Sequence, residues 1–195
     1  LLNTTRSNSA EDLDRTVRPF GEQIRAAIEV SPGAAHLAHE LAMKYGWSVN
    51  MAHPGYVARI KQSPDKTDYS DAKLLADLER VGYLPKVWLA PLEVQDLRTL
   101  TRHRAELAAQ KRAAKLRVRA ILRNYRLKGE DNAWTKKWLS WVREEAQLPP
   151  QARWVLERHL CEIERLVGEL KIVEKRIEEA TKENRFVQFL LQESG

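Results

Sequence analysis

Cysteine is nearly missing from this chain: Cys161 is the only one among 195 residues. One thiol closes no internal disulfide and offers zinc no thiolate cluster, so a disulfide scaffold and a zinc finger are both excluded. Its place in a long helical pattern reads as a small packed residue, and its solitude points to a reducing compartment. Long apolar runs are missing too. No stretch approaches the roughly 18–20 residues of a membrane-crossing helix, and no charged leader followed by an apolar segment is visible. A soluble protein with no membrane partner is expected. Negative charge is scarce in one region only. Residues 92–128 carry 11 Lys and Arg against 3 Asp and Glu, whereas residues 1–91 balance at 11 against 11 and residues 129–195 stand at 11 against 13. The formal net charge of +6 therefore arises in one segment, a distribution that solubility does not require and a polyanionic partner does.

What is present changes character at Pro91. Before it, extended and helical patterns alternate. Leu1 to Thr5 reads as a strand already under way, so further chain is expected ahead of it. Ser9, with Glu11, Asp12 and Asp14 behind it, opens a helix. Ile24 to Val30 places Ile24, Ala26, Ile28 and Val30 on one face of a strand that Ser31-Pro32-Gly33 ends. A helix over 34–45 stopped by Gly46, a short strand over 47–51, a loop opened by His53-Pro54-Gly55 and a helix begun at Asp68 follow. That order predicts an α/β layer with some parallel pairing over residues 1–91.

Residues 92–195 read as helix throughout. Leu97, Leu100, Leu107, Ala114, Val118, Ile121 and Tyr125 keep heptad spacing, broken by Arg104 and Lys111. Ile163, Leu166, Leu170, Val173, Ile177, Ala180 and Val187 repeat it, with Asn184 as the polar exception. Two long helices with such narrow apolar stripes must pair, either as an antiparallel coiled-coil hairpin or with copies in a second protomer. Between them, residues 129–150 form a tryptophan-rich tip.

The acids with the most chemical promise are Asp68 and Asp71. At i and i+3 in a first helical turn they share a face, close enough for one divalent cation. Along that face Asp71 leads to Leu75 and Leu78, so the carboxylates look toward the fold. Acids at a helix start also serve as caps and suit the helix dipole, and the local pattern leaves both readings open. Glu29 ends the best strand, opposite Ile28 and Val30, where catalytic groups gather in open α/β sheets. Glu29, Asp68 and Asp71, with no thiol or histidine set nearby, suit the hard ions Mg²⁺ or Mn²⁺. His36, His39 and Glu40 match no ordered zinc motif.

Glu29 after an alanine-rich strand, the His53-Pro54 turn, Lys66-Thr67-Asp68-Tyr69-Ser70-Asp71-Ala72, Leu84-Pro85-Lys86-Val87-Trp88 and Leu97-Arg98-Thr99-Leu100 together resemble the DEDD-type insertion-sequence transposases. That group is related to the Piv DNA invertases and includes bridge-RNA-guided recombinases. The resemblance runs from about Glu29 to Tyr125. It implies an RNase H-like (RuvC-like) catalytic domain over 1–91, incomplete at its N-terminus, and a coiled-coil domain over 92–195. It further implies Glu29, Asp68 and Asp71 as three of four Mg²⁺-binding catalytic acids. The fourth belongs on an opening strand; Asp12 and Asp14 do not fit, because they read as helix. A serine nucleophile belongs to a further domain, and Ser194 is not that serine. This portion alone is therefore expected to be inactive. DNA, a structured guide RNA and a homo-oligomer, dimer or tetramer, are the implied partners, and the cytoplasm, at the nucleoid of a prokaryote, the implied location.

Arg98, Arg102, Arg104, Lys111, Arg112, Lys115, Arg117, Arg119, Arg123, Arg126 and Lys128 spread over several faces of the first long helix. A solvated coiled-coil flank normally mixes signs, and this one does not, which favours phosphate contact. Lys66 joins them from the acidic motif. Trp134, Trp138 and Trp141, spaced i, i+4, i+7, read first as a miniature core and second as a stacking platform for bases. A non-enzymatic nucleic-acid-binding and oligomerisation module is the alternative to a transposase.

Overall fold

The computed structural model describes residues 9–60, 67–129 and 132–184. The chain divides into two compact units, Leu1–Pro91 and Leu92–Gly195. The strand expected at Leu1 to Thr5 and the cation Lys66 lie outside the described residues.

The first unit is α/β. Ser9 caps α1 (Ala10–Val17), its hydroxyl accepting from the Asp12 amide. β1 (Arg25–Glu29) runs parallel to β2 (Ser48–Ala52), Glu29 standing opposite Ala52, and β3 (Lys86–Val87) closes the order β1-β2-β3 antiparallel to β2. The crossover from β1 to β2 is α2 (Ala34–Tyr45), which ends on Gly46 at φ 70°. Strand alternation sends Ala26, Ile28 and Val49 toward α1 and α2, where they meet Ala10, Leu41 and Trp47. The opposite face sends Ala27 and Ala52 toward α4 (Asp68–Val81), against Leu74, Leu75 and Leu78. A thin mixed sheet thus lies between two helical layers. Asp14 fastens one of them. It accepts from Trp47 Nε1 at 2.7 Å and pairs with Arg18, whose guanidinium also donates to the Tyr45 carbonyl. The Arg18 bond holds the Asp14 carboxyl below its ordinary 3.8, helped by Trp47 and opposed by desolvation.

Two elements differ from expectation. The segment opened by His53-Pro54-Gly55 forms α3 (Pro54–Ile60) where a loop was expected. Proline at the first helical position gives up an amide that has no intrahelical partner, and Val57 on that turn is buried in the α4-side core. β3, two residues long, carries no periodicity by which it could be read.

The second unit is built from helices. α5 (Leu92–Asn124) and α7 (Pro150–Thr181), each about 50 Å long at 1.5 Å per residue, lie antiparallel: Leu107 packs with Leu166, Leu170 and Val173, while Ala114, Val118 and Leu122 pack with Leu156, Leu160 and Ile163. Arg104 bonds Glu174 across the pair at 2.7 Å. α6 (Lys136–Glu144) adds Trp138 and Val142 to the same core. The Arg153 guanidinium bonds the carbonyls of Val142, Arg143 and Ala146, taking up acceptors that the end of α6 leaves over. The expected stripe on α7 is buried from Ile163 to Val173, half-buried at Ile177, and continues back to Leu156; Ala180 is exposed, and Val187 lies outside the described residues. On α5, Leu122 is buried, while Tyr125, assigned to the stripe, falls beyond the helix end and is exposed. Cys161, expected to be packed, is exposed on α7.

α5 ends in an uncommon way. The Arg126 amide bonds the Arg123 carbonyl and the Leu127 amide bonds the Leu122 carbonyl, the paired bonds of a Schellman turn. That turn needs a left-handed residue, and Arg126 fills the position at φ 55°. Where α2 and α4 place Gly46 and Gly82, α5 places an arginine, at a cost of roughly 1–2 kcal/mol.

Candidate functional site

The acidic motif begins α4. Thr67 is the N-cap: its hydroxyl accepts from the Ser70 amide at 3.2 Å, and the Ser70 hydroxyl accepts from the Thr67 amide at 3.3 Å. This reciprocal box satisfies the Thr67 and Ser70 amides with hydroxyls, and Thr67, not Asp68 or Asp71, is the N-cap. Both acids stand in the first turn, Asp68 exposed and Asp71 half-buried. The positive end of the helix suits their charge whatever else they do. Glu29, at the last position of β1, is exposed. It shares the sheet face of Ala27, the face on which α4 packs.

Among the described residues, no group of three His, Cys, Asp or Glu side chains could hold a metal ion. The oxygen donors nonetheless suit a hard cation. Mg²⁺ keeps several waters and is often held by one or two carboxylates plus substrate phosphates, so the Asp68 and Asp71 pair fits a site that nucleic acid completes, not an all-protein cage. His39 and Glu40 are otherwise engaged. His39 Nε2 lies 2.8 Å from the Ala90 carbonyl, and Glu40 pairs with Lys44 at 2.7 Å.

One carboxylate was not anticipated. Glu79, on the inner stripe of α4, is buried; Asn50 Nδ2 donates to its Oε1 at 2.9 Å. Its Oε2 makes no hydrogen bond and lies 3.6 Å from Lys86 Nζ. The stripe through Asp71, Leu75 and Leu78 could have revealed it, since Glu79 is four residues past Leu75. Its contacts reach β2 and β3 and hold α4 to the sheet.

The cations of α5 divide. Arg104 is committed to Glu174, and Lys115 lies over the Trp134 ring, its Nζ 4.6 Å from the centroid. Burial there, with Lys111 close by, lowers the Lys115 pKa. Arg112, Arg117, Arg119, Arg123, Arg126 and Lys128 are exposed and make no ion pair among the described residues, and Arg98, Arg102 and Lys111 lie on the same helix. Other acids of α7 pair with cations off α5: Glu157 and Glu164 with Arg143, Glu162 with Arg165, and Glu179 with Lys175 and Arg176. Of the tip tryptophans, Trp138 is a core residue; Trp134 and Trp141 flank it half-buried, with ring centroids 4.9 and 6.3 Å away.

A family model described as a DEDD transposase of the IS110 type matches residues 2–127, spanning Glu29, the Asp68 and Asp71 turn, and all the cations of α5. The chain belongs to the IS110 DEDD transposase family. Membership makes DNA transposition or recombination its kind of function and DNA its implied partner. It agrees with the resemblance carried by the Lys66 to Ala72 motif, and the α/β unit followed by helices is the architecture that resemblance implied. α6 and α7 lie past the matched residues. No curated protein matches the chain. No helix among the described residues is long and apolar enough to cross a membrane.

Proposed function

We propose that residues 1–91 are the RNase H-like (RuvC-like) catalytic domain of an IS110-type transposase, with Glu29, Asp68 and Asp71 as its Mg²⁺- or Mn²⁺-binding acids. The observation that carries this reading is the first turn of α4. A threonine–serine box caps it, and two acids three residues apart share that turn, in a chain of a DEDD family. When bound, the ion would orient the nucleophile and stabilise charge on the attacking and leaving oxygens. The chain's own residues do the rest. Thr67 and Ser70 fix the start of α4, the stripe from Leu75 to Glu79 seats it on the sheet, and Asp68 and Asp71 present oxygen donors on one face. The serine nucleophile comes from a domain outside these residues.

Residues 92–195 act as a coiled-coil assembly domain whose first helix lies along nucleic-acid phosphates, from target DNA and from a structured guide RNA. The exposed cations Arg112, Arg117, Arg119, Arg123, Arg126 and Lys128 support that reading, because no ion pair among the described residues neutralises them. Leu116, Val167 and Ile172, exposed on the outer faces of α5 and α7, support assembly into a dimer or tetramer.

Titration with Mn²⁺ followed by thermal melting tests the metal site. Mn²⁺ raises the melting temperature of the wild type, and raises those of Asp68→Ala and Asp71→Ala less. Equal shifts in all three contradict the site and favour the non-enzymatic binding module, the reading consistent with the absence of a three-acid group among the described residues.

A further inference from the structure

Where α5 turns toward α6, a cavity of about 720 Å³ opens between the two helices. It is the size of pockets that hold organic ligands, roughly 300–1,000 Å³. Its walls have two chemistries. One is apolar and aromatic: Leu122, Leu127, Trp138 and Trp141. The other is a rim of four cations, Arg119, Arg123, Arg126 and Lys128, all exposed and none paired with a carboxylate among the described residues. Asn132 adds an amide able to donate and accept at a base edge.

Two independent features show that the pocket is built with care. Gly129 lies against both indoles, so that a Cβ there would stand 2.8 Å from Trp141 and 3.0 Å from Trp138; only glycine lets the backbone close over the rings. Arg126 holds a left-handed conformation that glycine would adopt without strain, and it is one of the residues that line the cavity. A strained residue kept at a cavity rim, when an easier one exists for the turn, points to a task for its side chain.

We propose that this pocket takes one unpaired nucleotide of a bound nucleic acid, its base against Trp141 and the leucines, and its phosphate on the guanidiniums of Arg119, Arg123 and Arg126. A flat aromatic ring joined to an anion matches both walls, whereas a paired base offers the aromatic wall no exposed face. The inference rests on the reading of α5 as a phosphate-binding helix and adds what the second unit distinguishes: an extruded or single-stranded nucleotide from a continuous duplex.

The test uses the full chain and labelled duplexes, fully paired or with one bulged nucleotide, in RNA and DNA versions, read by fluorescence anisotropy. Wild type binds the bulged duplex about tenfold more tightly than the paired one. The version showing this preference, RNA or DNA, identifies the source of the nucleotide. Arg126→Gly, which relieves the left-handed strain and so melts no lower than wild type, weakens binding to both duplexes and loses the preference for the bulged one. Arg123→Gln, at an exposed helical position, loses it without altering the turn. Equal wild-type affinity for bulged and paired duplexes overturns the pocket and leaves the phosphate-binding helix standing. Retention of the preference by both variants also overturns it, and failure of the wild type to bind any duplex removes both readings.

Discussion

The first turn of α4 and the last turns of α5 carry opposite charge, and each charge suits the helix end that holds it. Asp68 and Asp71 sit at the positive end of one dipole; Arg123 and Arg126 sit at the negative end of another. Favourable sign is therefore no sign of function at either end. The backbone is what separates helix stability from a further role. α4 is capped by Thr67 and Ser70, not by its acids, and α5 is closed by an arginine where Gly46 and Gly82 close α2 and α4. The dipole also acts over only about one turn, so it accounts for neither Arg112 nor Arg117 nor Arg119.

The two units differ as much in how they are held. The second has a continuous aliphatic core along α5 and α7, whereas the first spreads smaller clusters over both faces of a thin sheet. Leu156→Ala, at a fully buried position, should cost about 2–5 kcal/mol and visibly weaken the helical melting transition followed by circular dichroism. A loss below about 1 kcal/mol would mean that this core is less tightly packed than described.

Next in size is the electrostatic contrast. Replacing Arg112, Arg117 and Arg119 together by Ala should lower duplex affinity by about 10- to 100-fold at low salt and reduce the salt slope by about 2–3, as expected for three lost phosphate contacts. Replacing the committed Arg104 should change the slope much less, because Glu174 already occupies it. Equal slopes for the triple variant and wild type would place the nucleic acid elsewhere.

The smallest effect separates cap from acid. Thr67→Ala should cost about 0.5–2 kcal/mol in chemical denaturation, the usual loss for an N-cap hydroxyl, while Asp68→Ala should cost at most about 1 kcal/mol. The reverse order would make the acids structural.

Much of the first unit was legible because its local chemistry agrees with its tertiary role. Ser9 opens α1, the alternation from Ile24 to Val30 forms β1, and Gly46 ends α2. α3 was missed because Pro54-Gly55 resembles a turn, and the same proline is equally at home in a first helical turn. Glu79 was missed because polarity suggested an exposed position; only the sheet, with Asn50 and Lys86 on it, makes burial tolerable. On α5 the heptad named the right face as far as Val118 and then failed at Tyr125, because nothing in Arg126 announces a left-handed residue. The tip shows the same limit. The tryptophan spacing was visible, but the cavity depends on Gly129 lying against two rings, a contact no periodicity encodes.

If the acids of α4 and the cations of α5 serve one nucleic acid, duplex affinity measured with and without Mn²⁺ responds through those acids. Mn²⁺ should tighten duplex binding in wild type and leave it unchanged in the Asp68→Ala, Asp71→Ala double variant, while both proteins keep the same salt slope without metal. An identical response to Mn²⁺ in the two proteins would contradict it.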